Sequence, residues 1–304
     1  MVLGGGGFIG SHISEQLLLQ GHQVTVFERP GTSCENLQHI KEHIKIINGD
    51  FMQETNFVSL LHNVDWVFHL VCTTLPANEN VVSDIGENVI PTIKLLEACR
   101  EVKVKKIIFI SSGGTVYGPS EMHYMSETHP TDPVCAYGVQ KLMIEKYLHL
   151  YHYLYGLDYA VLRVANPYGD RQNPFKPQGV IGVFLAQALL GRSIEIWGDG
   201  SVARDFLYVL DVAKAAVRVA EYEGVEKIFN IGSGKAYSLN TVIGCIEKVL
   251  DTKVNKNYLQ GRKQDVPFNL LDIAKAKREL GWNPEVELAD GIERMAHMWR
   301  RRFK

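Results

Sequence analysis

The stretch Gly4-Gly5-Gly6-Gly7-Phe8-Ile9-Gly10 decides how this chain is read. It follows the apolar Met1-Val2-Leu3 and opens a helix-like run, Phe8–Gln20, closed by Gly21. That is the order of a strand, a tight turn and a helix. Glycines at 4, 7 and 10 satisfy G-x-x-G-x-x-G, and those at 5, 7 and 10 satisfy G-x-G-x-x-G. Without Cβ atoms the turn can tighten and a pyrophosphate can approach the backbone, seated on the first amides of the helix. Gly4, Gly7, Phe8, Ile9 and Gly10 are therefore expected to hold a dinucleotide. Glu28 ends the next apolar run, where an acidic residue accepts hydrogen bonds from the adenosine ribose. Its charge repels a 2′-phosphate and so favours NAD over NADP, a preference that Arg29 weakens. Asp50, in Asn48-Gly49-Asp50-Phe51, is placed to reach the adenine amino group.

Outward from this turn, short runs rich in Val, Ile and Phe recur at Val24–Phe27, Ile44–Ile47, Val64–Val71, Lys106–Ile110 and Ala160–Val164, with helical patterns such as Pro91–Val102 between them. Alternation of that kind implies an α/β fold, a doubly wound parallel sheet that is Rossmann-like. After Val164 the pattern changes to a Gly/Pro loop, a helix near Ile181–Leu190 and a strand near Ser193–Trp197. A helix (Asp211–Glu221) and a strand (Lys227–Ile231) then look like a return to the main sheet. The expected division is a cofactor domain of residues 1–165 plus about 203–233, with a second, smaller α/β substrate lobe from 166–202 and 234–304.

Composition narrows the function. Across 304 residues the chain is 46% hydrophobic and 22% charged, with a net charge of −2, so no global field for nucleic acid or membrane is present. The basic cluster Arg300, Arg301, Arg302 and Lys304 closes a helix, where cations suit the dipole. No apolar stretch reaches the roughly 18 residues of a membrane span. The five cysteines are widely spaced without a C-x-x-C pair, which argues against a disulfide framework or zinc and fits a cytoplasmic protein. His149 and His152 lack a carboxylate or cysteine at ligand spacing, so no metal is expected. Three residues make a short first strand, which leaves room for a natural start upstream of Met1.

Tyr137-Gly138-Val139-Gln140-Lys141 is the second informative segment. Tyr137 and Lys141 are spaced i, i+4 and share a helix face. An ammonium beside a phenol, with a nicotinamide cation nearby, draws a pKa of about 10 toward neutrality and makes the tyrosine a general base.

With the glycine turn, these segments resemble those of extended short-chain dehydrogenase/reductases of the nucleotide-sugar branch, most similar to UDP-glucose 4-epimerases. Ser111-Ser112-Gly113-Gly114-Thr115-Val116-Tyr117-Gly118 resembles the family's S-S-S-A-T-V-Y-G, and Leu162-Arg163-Val164-Ala165-Asn166-Pro167-Tyr168-Gly169 resembles L-R-Y-F-N-x-x-G. Gly198-Asp199-Gly200 through Arg204-Asp205-Phe206 resembles G-D-G-x-x-x-R-D-F, and Arg262-Lys263-Gln264-Asp265-Val266-Pro267 resembles R-x-x-D-x-P. The resemblance implies NAD as cofactor, held also by Phe51, Leu70, Val71, Cys72, Asn88, Ser111, Tyr137 and Lys141. It implies a nucleotide-sugar substrate met by Thr73, Thr74, Asn166, Trp197, Arg204, Arg262, Asp265 and Asn269. The two arginines suit a diphosphate, because guanidinium forks pair bidentately with its oxygens; Trp197 stacks on the base. A 4-epimerase passing through a transient 4-keto sugar is the implied activity, and a homodimer through the Tyr137–Lys141 and Pro91–Val102 helices the implied assembly. Leu95, Leu96, Leu142 and Leu148 are counted toward core and interface together.

Two departures from the family stand out. The position of its catalytic Ser or Thr holds Gly113, so Thr115 or Ser112 has to supply the hydroxyl. His69-Leu70-Val71-Cys72 stands where the family usually has H-x-A-A or H-x-A-G. Gly114 and Thr115 stand where related dehydratases and decarboxylases carry acids, which weighs against both. The alternatives left are another nucleotide-sugar activity, 4-keto reductase or decarboxylase, and a non-catalytic NAD-binding scaffold.

Overall fold

The structure is a computed structural model that describes residues 1–54, 56–74, 80–120, 124–175, 179–261 and 267–302. The chain begins β1 (Val2–Leu3), α1 (Phe8–Leu19), β2 (Thr25–Glu28), β3 (Lys45–Asn48), α2 (Phe57–Leu60), β4 (Trp66–His69), α3 (Val81–Asp84) and α4 (Ile90–Glu101). It continues through β5 (Lys106–Ser112), α5 (Ala136–Tyr155), β6 (Tyr159–Val164), β7 (Asn166–Tyr168), α6 (Val180–Leu189), β8 (Ile194–Trp197), β9 (Ala203–Tyr208) and α7 (Val209–Glu221). The last third is β10 (Ile228–Ile231), β11 (Ala236–Ser238), α8 (Leu239–Leu250), β12 (Lys256–Leu259), β13 (Phe268–Asn269), α9 (Ala274–Leu280) and α10 (Leu288–Arg302).

Seven strands form one parallel sheet in the order β10-β6-β5-β4-β1-β2-β3. Its direction of winding reverses between β1 and β4, and open α/β sheets bind ligands at such a switch point. Both faces are covered, which is why β5 reads as an unbroken apolar run with Ile107, Ile108 and Phe109 fully buried. Residues of α1 and α7 fill the core on one face; those of α4 and α5 fill it on the other. The expected strands and helices are present with shifted ends. The run Val64–Val71 shortens to β4, and Leu70 and Val71 lie beyond its end against Gly4 at the switch point.

A third core joins α6, α8 and α10 around Trp299, Met295 and Ile246. Beside it β9 pairs with β7, β11 and β13 in a second sheet, and β12 pairs with β8. Of the stretch 203–233, β10 lies in the seven-stranded sheet and β9 in this second one. Leu95, Leu96 and Leu148 are fully buried, so they belong to the core alone and contribute nothing to an interface. Among the described residues no helix is long and apolar enough to cross a membrane, and no cluster of three His, Cys, Asp or Glu is placed to hold a metal.

Candidate functional site

The glycine turn is built as its spacing demands. A Cβ on Gly10 would lie 2.2 Å from the Gly4 carbonyl oxygen, so only glycine lets α1 begin this close to β1. Gly4 sits at φ +79°, against the backbone of Leu70 and Val71. Gly7 caps α1 with an extended backbone and no side chain, which leaves the helix N-terminus able to receive an anion. Glu28, at the end of β2, accepts the Gly6 N–H at 3.0 Å and the Arg29 N–H at 3.1 Å. Its carboxylate is thereby fixed beside the turn. Asp50 accepts the Met52 N–H. Phe51 is buried against Phe57 and His69, so its ring is core and only its backbone can face a ligand. These residues fit a dinucleotide.

Tyr137 and Lys141 lie in the first two turns of α5. A Cβ on Gly138 would come within 2.7 Å of the Thr115 carbonyl oxygen, so the glycine after the tyrosine lets the start of α5 press on the loop that follows β5. Lys141 Nζ donates to the Ile110 carbonyl at 2.9 Å and lies 5.6 Å from the Tyr137 ring centroid. Burial pushes the Tyr137 phenol up, with the Cys72 and Cys135 thiols adding to it, and pushes the Lys141 ammonium down. The protein alone therefore holds Tyr137 as a neutral phenol; positive charge close to its hydroxyl is what reverses this.

The hydroxyl question resolves in part. A Cβ on Gly113 would meet Leu271 Cδ1 at 2.4 Å and the Arg163 carbonyl oxygen at 3.0 Å, so a serine there would press on the Leu271 side chain just past β13. Thr115 Oγ1 is buried with no hydrogen-bond partner, on the segment that Gly138 touches. Ser112 is half-buried. Ser111 is turned away: its hydroxyl donates to Glu145 at 2.5 Å in the core.

The wall opposite is tied down by two amides. Asn88, in a π-helical segment Ile85–Val89, accepts the Thr73 N–H at 2.9 Å and donates to Thr73 Oγ1. Gln140 donates to Thr74 Oγ1 at 2.8 Å and to Cys72 Sγ. Asn166, opening β7, donates to the Asp205 carbonyl. Arg204 is half-buried on β9, in register with Asn269 of β13. Asn269 is 2% exposed and donates to the Gly113 carbonyl at 3.2 Å, while its Oδ1 has no partner. Trp197, at the end of β8, is 38% exposed. Arg262 and Asp265 lie outside the described residues. Sequence reasoning missed Gln140, Glu145 and Arg163; the last two were signalled by charges in otherwise apolar runs of a helix and a strand.

A family model described as NAD dependent epimerase/dehydratase family matches residues 1–232. A UDP-glucose 4-epimerase of Mycolicibacterium smegmatis is 33% identical, over 99% of this chain and 98% of its own. Among solved structures, UDP-glucose 4-epimerase of Thermotoga maritima with UDP-glucose superposes with a TM-score of 0.94 at 34% identity, covering 100% of this chain and 99% of that one. UDP-N-acetylglucosamine 4-epimerase of Methanobrevibacter ruminantium M1, in complex with UDP-N-acetylmuramic acid, superposes with a TM-score of 0.93 at 32% identity, covering 99% and 97%.

Proposed function

This chain belongs to the NAD dependent epimerase/dehydratase family, and from that premise we propose that it is a nucleotide-sugar 4-epimerase acting on a UDP-hexose or UDP-N-acetylhexosamine. The observation that carries the reading is the meeting of Tyr137, Lys141 and the unpartnered Thr115 hydroxyl at the C-terminal edge of the sheet, beside a glycine turn built for a dinucleotide. NAD held there would supply a reversible hydride acceptor for the reacting sugar carbon, with no net oxidation over the cycle. Gly4, Gly7 and Gly10 let it approach, and Glu28 receives its ribose. Tyr137 accepts the proton of the reacting hydroxyl and later gives one back. Lys141 holds positive charge near the phenol. Thr115 Oγ1 orients the hydroxyl, and Arg204 with Arg262 receives the diphosphate. Gly114 and Thr115 put no carboxyl where an acid would be needed for water loss, which supports epimerase over the other outcomes.

We assign the third core, with the second sheet, to the lobe that receives the nucleotide sugar. The chain pairs with a second copy through the outer faces of α3, α4 and α5, where Val82, Ile90, Leu150, Tyr153 and Leu154 are exposed; a monomeric mass by light scattering at micromolar concentration excludes this. The test of function is incubation of the purified protein with NAD and a panel of UDP-sugars, with products read by NMR. Epimerised sugar without net NADH is the expected result. Net NADH, decarboxylated product or no turnover at all overturns it.

A further inference from the structure

The acid and base buried one turn beyond Lys141 take no part in the reaction described above. Glu145 and Arg163 are each 3% exposed. Arg163 Nη2 lies 2.7 Å from Glu145 Oε2, and its Nε donates to both carboxylate oxygens at 3.2 Å. Ser111 Oγ donates to Glu145 Oε1. The other arm of the guanidinium donates to the Tyr117 hydroxyl at 3.0 Å, which donates in turn to Asn230. Ser111 and Arg163 are register partners on β5 and β6. Two consecutive residues of β5 are thus fastened to α5 one helical turn apart: Ile110 through Lys141, and Ser111 through Glu145.

Packing alone does not call for such a group, because a buried ion pair is often no more stabilising than apolar residues of the same volume. Its place beside Lys141 gives it a use. We propose that Glu145, clamped by Arg163 and Ser111, is a positioning residue for Lys141, an assignment that rests on the reading of Tyr137 and Lys141 above. The clamp fixes the register of α5 on β5, so that Lys141 stays between the Ile110 carbonyl and the Tyr137 ring. The carboxylate also places negative charge one turn from the ammonium. The other groups facing Lys141 are the Phe109 ring and Ile110 carbonyl of β5, His69 of β4, Cys72 of the following loop, and Tyr137. Burial keeps His69 neutral. Burial lowers Lys141, and the Cys72 thiol and Glu145 act against that. Glu145 is the carboxylate of this set.

Glu145→Gln alone strands a buried guanidinium and is expected to unfold the protein readily. The decisive variant is Glu145→Gln/Arg163→Met, compared with Lys141→Met and with all three changes together. Thermal unfolding, NAD affinity by titration, and kcat against pH are read on each. The double variant is expected to melt near the wild type yet lose roughly 10-fold in kcat, a coupling of ordinary size for residues in one network. Its alkaline limb moves to lower pH, because Lys141 loses its proton more readily. In the Lys141→Met background the same two changes cost nothing further. Wild-type kcat and pH profile in the double variant, or losses that simply add to Lys141→Met, overturn the proposal. A wild type that turns over no nucleotide sugar sinks the epimerase reading instead, and NAD titration of the same four proteins still decides the clamp: non-additive losses support it, additive losses overturn it.

Discussion

At the scale of single residues, the site depends on atoms without partners. Thr115 Oγ1 and Asn269 Oδ1 are buried and unsatisfied, and such atoms are costly unless a ligand completes them. Tyr137→Phe removes the proposed proton acceptor and should lower kcat by about 10²–10⁴-fold with NAD affinity retained; retained turnover would remove Tyr137 from the reaction. Thr115→Val should lower the rate while Ser112→Ala changes it less, since the Thr115 hydroxyl has no protein partner to lose. Equal loss in both would mean that the two share the role. Asn269 makes the same argument for specificity. Its amide nitrogen is held by Gly113, which leaves the oxygen to accept from a donor such as an acetamido N–H. Asn269→Tyr should therefore depress turnover of a UDP-N-acetylhexosamine far more than that of the plain hexose, by on the order of 1–3 kcal/mol in discrimination. Parallel losses, or a wild type that rejects acetamido sugars, would show that Asn269 is not the selector.

Elements carry what single residues cannot. The first two turns of α5 meet the loop after β5 only because Gly138 has no side chain. Gly138→Val would push a branched carbon against the Thr115 backbone and move Tyr137 off the sugar. Loss of kcat in a variant that still binds NAD is the expected outcome; full activity would mean that the helix and loop can part without consequence. Much of this was legible beforehand. Glycine spacing and the i, i+4 pair are local signals, so β1, α1 and the Tyr137 face of α5 were readable from residues near one another in the chain. The second sheet was not. Its strands β7, β9, β11 and β13 have two to six residues each, too few to show a period, and they pair across long separations. Gly113 was misleading for a related reason. Counting along the chain finds an absent hydroxyl, whereas the direction of the missing Cβ, toward Leu271, appears only when β13 has been brought alongside. The π turn at Ile85–Val89 that aims Asn88 has no signature of its own, and the Ser111 hydroxyl, expected at the cofactor, is taken by Glu145.

For the whole molecule, the same burial that tunes the site sets how it tolerates acid. His12, on α1, is pushed down to about 4 by burial, with Arg171 beside it adding to the effect. His69 is pushed down to about 3 by burial, with Lys141 adding. Both are bases whose folded values lie below their unfolded ones, so the unfolded chain takes up protons that the folded chain refuses as pH falls below about 6.5. Stability is then lost toward acid. Asp205 acts in the opposite sense. Burial pushes it up to about 6, against hydrogen bonds from Ser233 and the Leu271 amide. The folded carboxyl gains its proton first, and stability is gained as pH falls from about 6 toward its unfolded value. Two histidines outweigh one aspartate, and the net contribution of these three groups between pH 7 and pH 5 is a loss on the order of 2 kcal/mol. Denaturant unfolding at the two pH values measures it directly. His12→Gln, which keeps a donor for the Asp170 carbonyl that His12 Nε2 meets at 3.0 Å, should flatten the slope by removing one titrating base. A wild type equally stable at pH 5 and pH 7, or a His12→Gln variant with an unchanged slope, would show that these histidines are not what acid attacks.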